Sequence, residues 1–161
     1  MNALVVLCGP SGSGKSTFAA KQFAPEQIIS SDRLRGLVSG DEADQTASGA
    51  AFTLLRRTVR DRIQRGQLTV VDTTAARARD RRALVNLARP YAVPVVAIVF
   101  SASLETCLYR NRSRRRQVPA GVIARQHALM HQSMARIAME GFQAVYVLRD
   151  ACAGVVEHDG P

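Results

Sequence analysis

Five short apolar runs punctuate the chain: Leu4–Cys8, Gln27–Ser30, Thr69–Asp72, Val95–Phe100 and Ala144–Leu148. Several of them lack any alternation of apolar and polar positions. A strand with one solvated face alternates, whereas one covered on both faces need not, so these runs predict buried strands of a parallel sheet. Between them, apolar residues recur at helical spacing. In 49–66, Phe52, Leu55, Val59 and Ile63 fall three or four apart. The segments 16–23, 79–92, 104–112 and 122–138 also read as helices. The last places Ile123, Leu129, Met130, Met134 and Ile137 mostly along one side. Strands alternating with helices require right-handed crossovers. The pattern therefore predicts an α/β fold, a central parallel sheet of about five strands flanked by helices. The tail, 151–161, is weakly periodic and reads either as a natural end or as the start of a linker.

A length of 161 residues with 47% apolar content suits a single domain, 1–161, with a core of its own. No run of about 18 apolar residues is present, so no membrane contact is expected. The first strand starts close to the N-terminus and leaves no room for a signal peptide, so a cytoplasmic location is expected. Cys8, Cys107 and Cys152 are scattered and odd in number, which points away from a disulfide or zinc framework. The net charge is +9 and the pI near 10.7. A polyanionic partner would account for this. Only Lys15 and Lys21 are lysines, however, and an arginine skew also arises from GC-rich coding. The position of the arginines decides more than their number. At 5% aromatic residues, the chain does not resemble a base-stacking nucleic-acid binder.

The candidate chemistry begins after the first strand. Gly9-Pro10-Ser11-Gly12-Ser13-Gly14-Lys15-Ser16 matches the P-loop pattern G-x-x-x-x-G-K-[ST] at every fixed position. Its glycines let successive N–H groups point at phosphate oxygens, and the helix behind it adds a positive N-terminal dipole. ATP is the expected ligand, with Gly12, Ser13, Gly14, Lys15, Ser16 and Thr17 around its phosphates. Lys15 reaches the β- and γ-phosphates, and the Ser16 hydroxyl binds Mg²⁺.

A P-loop alone does not name a reaction. In such sheets ligands lie beyond the carboxyl ends of the strands. The second strand ends in Ser30-Ser31-Asp32-Arg33-Leu34-Arg35. If Ser31 caps a short helix, Asp32 and Arg35 lie three residues apart on one face. Asp32 could then accept a proton from an attacking hydroxyl while Arg35 holds an acceptor phosphate. A surface salt bridge beside an ordinary cap is the plain alternative. The third strand ends at Asp72, where a carboxylate orients Mg²⁺ or its waters. Arg110-Asn111-Arg112-Ser113-Arg114-Arg115-Arg116 holds five arginines and no acid. It lies where a lid closes over phosphates, and arginine forks there stabilise the transferring group. Arg110 and Arg114, four apart, would point the same way on a helix.

These blocks, with Ile29-Ser30-Ser31-Asp32 through Gly36-Leu37-Val38-Ser39, Asp41-Glu42-Ala43-Asp44-Gln45-Thr46, Arg116-Gln117-Val118 and Glu140-Gly141-Phe142, resemble the 5′-kinase domain of bacterial polynucleotide kinase–phosphatase, an RNA end-healing enzyme. The resemblance covers nearly the whole chain and implies a P-loop kinase fold with an arginine-rich lid. It implies ATP and Mg²⁺ as cofactors and a nucleic-acid 5′-OH end, single-stranded RNA or DNA, as acceptor. Lys15, Asp32, Arg35 and Arg114 would be catalytic, with Asp32 as the general base. Arg110 and Arg116 would contact the donor nucleotide, and Ser16 and Asp72 the metal. Phosphatase and ligase modules would follow in a longer parent protein. Two positions depart from the family pattern. Ala75 replaces the usual Asn after the third strand, and the lid is one residue shorter, leaving Arg114 and Arg115 both eligible. A small-molecule P-loop kinase, acting on a sugar acid, nucleoside or antibiotic, is the alternative; a non-catalytic nucleotide switch is a third reading.

Overall fold

The computed structural model describes residues 2–42 and 44–149, together with the backbone of 156–157. Five parallel strands form the sheet: β1 (Leu4–Cys8), β2 (Ile28–Ser30), β3 (Thr69–Asp72), β4 (Val95–Phe100) and β5 (Ala144–Leu148). The order is β2-β3-β1-β4-β5, and a two-residue β6 (Val156–Glu157) pairs antiparallel with β5 at the edge. Apart from that pair, the residues of 151–161, read as an end or a linker, lie outside the described residues. The helices are α1 (Lys15–Gln22), α2 (Ser31–Ser39), α3 (Ser48–Gln64), α4 (Ala78–Ala88), α5 (Leu104–Arg112) and α6 (Ala120–Ser133). No described helix is long and apolar enough to cross a membrane.

The missing alternation in β1 and β3 has the expected cause, since every residue of both strands is buried. Side chains still alternate between the two faces. Leu4, Val6 and Cys8 join the larger core with Leu55, Val59 and Ile63 of α3 and Leu84, Val85 and Ala88 of α4. Val5 and Leu7 face the smaller one with Ala19 and Phe100. There Phe18 packs edge-on against both Phe23 and Phe100. Burial pushes the Cys8 thiol up to about 12, which fits an inert core residue. Cys152 lies outside the described residues.

Several boundaries differ from the periodicity, most by one or two residues, and the larger shifts have local causes. Ser30, not Ser31, caps α2, accepting from the Arg33 N–H at 3.4 Å. The segment 79–92 stops being α-helical at Ala88, because Pro90 cannot continue the hydrogen-bond ladder, and Arg89–Tyr91 tighten into a 3₁₀ turn. The segment 122–138 starts earlier, at Ala120 behind Pro119. It ends at Ser133, whose hydroxyl bonds back to the Leu129 and Met130 carbonyls, and continues as a 3₁₀ run, Met134–Glu140.

Arg81 was read only as part of a helix, yet it is wholly buried. Its fork meets both carboxylate oxygens of Glu140 at 2.6 Å, and Nη1 donates to the Ala75 and Ala76 carbonyls at 2.8 and 3.1 Å. Such a pair adds little over an apolar isostere, but losing one partner strands a buried charge at about 3–5 kcal/mol. Here it also fixes the loop after β3.

Candidate active site

The P-loop is shaped by its own backbone. Gly12 (φ 85) and Gly14 (φ 102) occupy the left-handed region. A Cβ on Gly12 would meet the Cys107 carbonyl of α5, so no other residue fits there without displacing the helix. The loop is tied down at two points. Gly9 N–H donates to the Thr74 carbonyl at 3.0 Å, and Ser11 N–H to Gln126 Oε1 at 2.9 Å. Gly14 caps α1 with no side-chain acceptor, and the first turn holds no acid. The leading N–H groups of a helix have no partner inside it, which leaves this end suited to an anion. Ser16 and Thr17 stand exposed on that first turn.

Lys15 is buried and folds back on the loop, its ammonium donating to the Gly9 and Pro10 carbonyls at 2.8 and 2.9 Å. Burial lowers its pKa from the ordinary lysine value; the Asp72 carboxylate opposes the shift and the Arg114 charge adds to it. Sheet register explains the company of Asp72. It aligns with Leu7 of β1 on one side and Ser30 of β2 on the other, which sets it at the carboxyl edge between the P-loop strand and α2. Ser31 Oγ donates to its carbonyl at 3.4 Å.

Asp32 and Arg35 meet as their spacing suggested. Arg35 Nη1 donates to Asp32 Oδ1 at 2.7 Å and also to the Glu42 carbonyl at 2.8 Å. Arg35 is 10% exposed and Asp32 54%. Arg35 Nε is buried with no partner. Arg116 Nη1 stands 3.6 Å from Asp32 Oδ2 and 3.5 Å from Glu42 Oε2. The residue expected beside the donor nucleotide is thus drawn to the carboxylates at α2.

The lid does not carry Arg110 and Arg114 on one helix, because α5 ends at Arg112. Arg110 Nη1 reaches the Ser13 carbonyl at 3.5 Å. Buried Asn111, in the last turn of α5, braces the loop beyond the helix through two 2.9 Å bonds, accepting from the Val118 N–H and donating to its carbonyl. Asn111, Gln126 and Glu42 were not singled out as site residues. Asn111 stands inside the arginine run and Glu42 inside one of the family-like blocks, whereas Gln126 carries no signal. A depression of about 380 Å³ beneath this loop, lined by Leu108, Asn111, Gln117, Val118 and Pro119 among others, includes no P-loop residue. Among the described residues no three His, Cys, Asp or Glu side chains gather as metal ligands.

A family described as an AAA domain matches residues 4–137. No curated protein matches the chain. A solved chain of the Pnkp1/Rnl/Hen1 RNA repair complex superposes with a TM-score of 0.74 at 19% identity, over 84% of this chain and 46% of that one. A chain of the AvrRxo1-ORF1:-ORF2 complex with ATP gives 0.76 at 15% identity, over 98% of this chain and 57% of that one. A gluconokinase from Sinorhizobium meliloti 1021 gives 0.60 at 18% identity, over 94% and 85%. The chain thus spans about half the length of the first two, 46% and 57%. The likeness is one of fold: a P-loop kinase fold around a five-stranded parallel sheet.

Proposed function

The chain belongs to this AAA-domain family, and from that premise we propose that it is an ATP-dependent polynucleotide 5′-hydroxyl kinase, which moves the γ-phosphate of ATP to the 5′-OH end of RNA or DNA. The observation that carries the proposal is the Asp32–Arg35 pair at the end of β2. The half-exposed carboxylate is within reach of an incoming hydroxyl. The guanidinium beside it, nearly buried, keeps one unpartnered donor for an anion. A pure nucleotide switch has no use for that pair. The likeness to a chain of an RNA repair complex and the positive net charge support a nucleic-acid acceptor.

In this reading the P-loop amides and Lys15 hold the donor phosphates, and Arg110 and Arg114 close over them from the lid. The hard oxygens of Ser16 and Asp72 suit Mg²⁺, which when bound would offset charge on the phosphates. Asp32 accepts the proton of the 5′-OH as its oxygen attacks phosphorus. Arg35 grips the acceptor's neighbouring phosphate and keeps the hydroxyl in line. Role in nucleic-acid repair, and phosphatase and ligase modules in a longer parent, complete the proposal.

Transfer from γ-labelled ATP to a 5′-OH oligonucleotide tests it, with a 5′-phosphorylated control. Asp32→Ala should cut transfer about 10²-fold or more while ATP still binds. Full activity in that variant would overturn the base assignment. The likeness to gluconokinase favours a second reading, a small-molecule acceptor. Salt separates the two, because oligonucleotide affinity falls steeply with ionic strength and that of a neutral metabolite does not.

A further inference from the structure

The phosphotransfer just described makes no use of Glu42, yet the fold builds this residue into the acceptor cluster. Gly40 (φ 79) ends α2 in a left-handed turn, and Ser39 Oγ donates to the Asp41 carbonyl at 2.9 Å, which folds the chain back over the helix. Gly36 leaves the room: a Cβ there would come within 2.8 Å of Glu42 Cγ. Glu42 then engages both arginines, Arg35 through its carbonyl and Arg116 through its carboxylate.

Two guanidinium groups thus face two carboxylates, but the four are unequally satisfied. The Arg35–Asp32 contact at 2.7 Å is a charge-assisted hydrogen bond. The Arg116 contacts, at 3.5 and 3.6 Å between partly exposed side chains, are longer than hydrogen bonds and exchange readily. Arg35 Nε, buried and unpartnered, carries a desolvation cost that an incoming oxygen would relieve. The cluster is closed by its own acids, loosely at Arg116, and the buried Arg35 Nε is left without a partner.

We propose that Glu42 is a specificity-determining residue of the acceptor site, an internal carboxylate that occupies Arg116 until the acceptor's phosphate displaces it. This rests on the kinase reading above only for the identity of the acceptor. A phosphate offers oxygens to the Arg116 fork, and to Arg35 Nε once the cluster opens around that buried atom. A neutral hydroxyl compound has nothing to exchange for the carboxylate and leaves it in place. Arg116 thereby belongs to the acceptor half of the cleft, and Glu42 sets how strong an anion must be to enter.

The test compares the full chain with Glu42→Gln, Arg116→Ala and the double variant. Binding of a fluorescent 5′-OH hexanucleotide is read at saturating ADP and fixed ionic strength, and KM for oligonucleotide and for ATP is read in turnover. Glu42→Gln should bind the oligonucleotide about three- to tenfold more tightly and lower its KM alike, with KM for ATP unmoved. In the Arg116→Ala background that gain should vanish. A structural role for Glu42 would instead lower the melting temperature and raise both KM values. Equal or weaker binding by Glu42→Gln, no oligonucleotide binding by either protein, or a gain that persists without Arg116 would each overturn the proposal. If the hexanucleotide binds but receives no phosphate, the kinase reading falls and the binding comparison alone judges Glu42.

Discussion

On the proposed donor side of the cleft the contacts are mostly backbone. Gly12 lies against the Cys107 carbonyl, Gly9 N–H meets the Thr74 carbonyl, and the Lys15 ammonium is held by two carbonyls of its own loop. On the proposed acceptor side they are mostly side chains. Asp32, Arg35, Glu42 and Arg116 hold one another at the surface of a short helix, two of the contacts at ion-pair range only. In the proposed reading the first arrangement suits any nucleoside triphosphate, because loop amides read phosphate and nothing else. The second can rearrange, and its side chains are free to differ with the substrate. A kinase needs both, a fixed donor and an acceptor site that tells substrates apart.

Substitution at Gly12 should break the donor half outright. In Gly12→Ala the new methyl meets the Cys107 carbonyl at a φ that disfavours any side chain, so loop or helix must move. We expect ATP affinity to fall about 10- to 100-fold, in line with about 1.5–3 kcal/mol for a lost hydrogen bond to a charged group. Calorimetric titration with ATP checks this, and near-native affinity would show that the loop is less constrained than its backbone suggests.

Arg35→Ala should act on the other half alone. It removes a nearly buried guanidinium and strips Asp32 of its 2.7 Å partner. The KM for oligonucleotide should rise about tenfold or more, in line with about 1.5–3 kcal/mol for a charged hydrogen bond, while that for ATP stays near wild type. A rise in both would mean that the two halves are mechanically one.

A pH series sharpens the contrast, because the depressed pKa belongs to the donor half. The empty protein releases the Lys15 proton at a lower pH than a free lysine does, through burial. Bound phosphates favour the protonated form, so binding takes up a proton once Lys15 has begun to deprotonate. ATP affinity should be level below the depressed pKa and fall as pH rises past it. The change should disappear in Lys15→Met, weak though its binding will be. Oligonucleotide affinity at saturating ADP should not follow the same curve.

The same division separates what was readable in the sequence from what was not. The P-loop is contiguous, so its pattern and its geometry coincide. The sheet was legible because its central strands, β1 and β3, are buried throughout and so show no polar alternation. Asp32 and Arg35 were legible as a pair because three residues on a helix make neighbours. Arg116 and Glu42 were not, since their meeting with Asp32 depends on how a lid loop and a returning turn pack. The Arg81–Glu140 pair bridges 59 positions and looks on paper like two more solvated charges. Helix ends shifted where Pro90 or the Ser133 hydroxyl intervened, local effects that apolar periodicity does not register.

The loop that joins the halves offers the smallest and most discriminating change. Ala75 has φ 41, a conformation costing a residue with a Cβ about 1–2 kcal/mol. Glycine would remove that strain but lose a buried methyl worth about 0.8 kcal/mol. It would also carry about 0.5–1 kcal/mol of extra chain entropy. These terms nearly cancel, so Ala75→Gly should unfold within about 0.5 kcal/mol of wild type in a denaturant titration. Function should still respond. The Thr74 carbonyl beside it accepts from the P-loop Gly9, and its own carbonyl is held by Arg81. A loosened link there should raise KM for ATP about two- to threefold and leave that for the oligonucleotide alone, since the loop's tie to α2 runs through Ser31 and the Asp72 carbonyl, upstream of the change. An effect confined to the acceptor would reverse the assignment, and with it the idea that backbone geometry is what holds the donor in place.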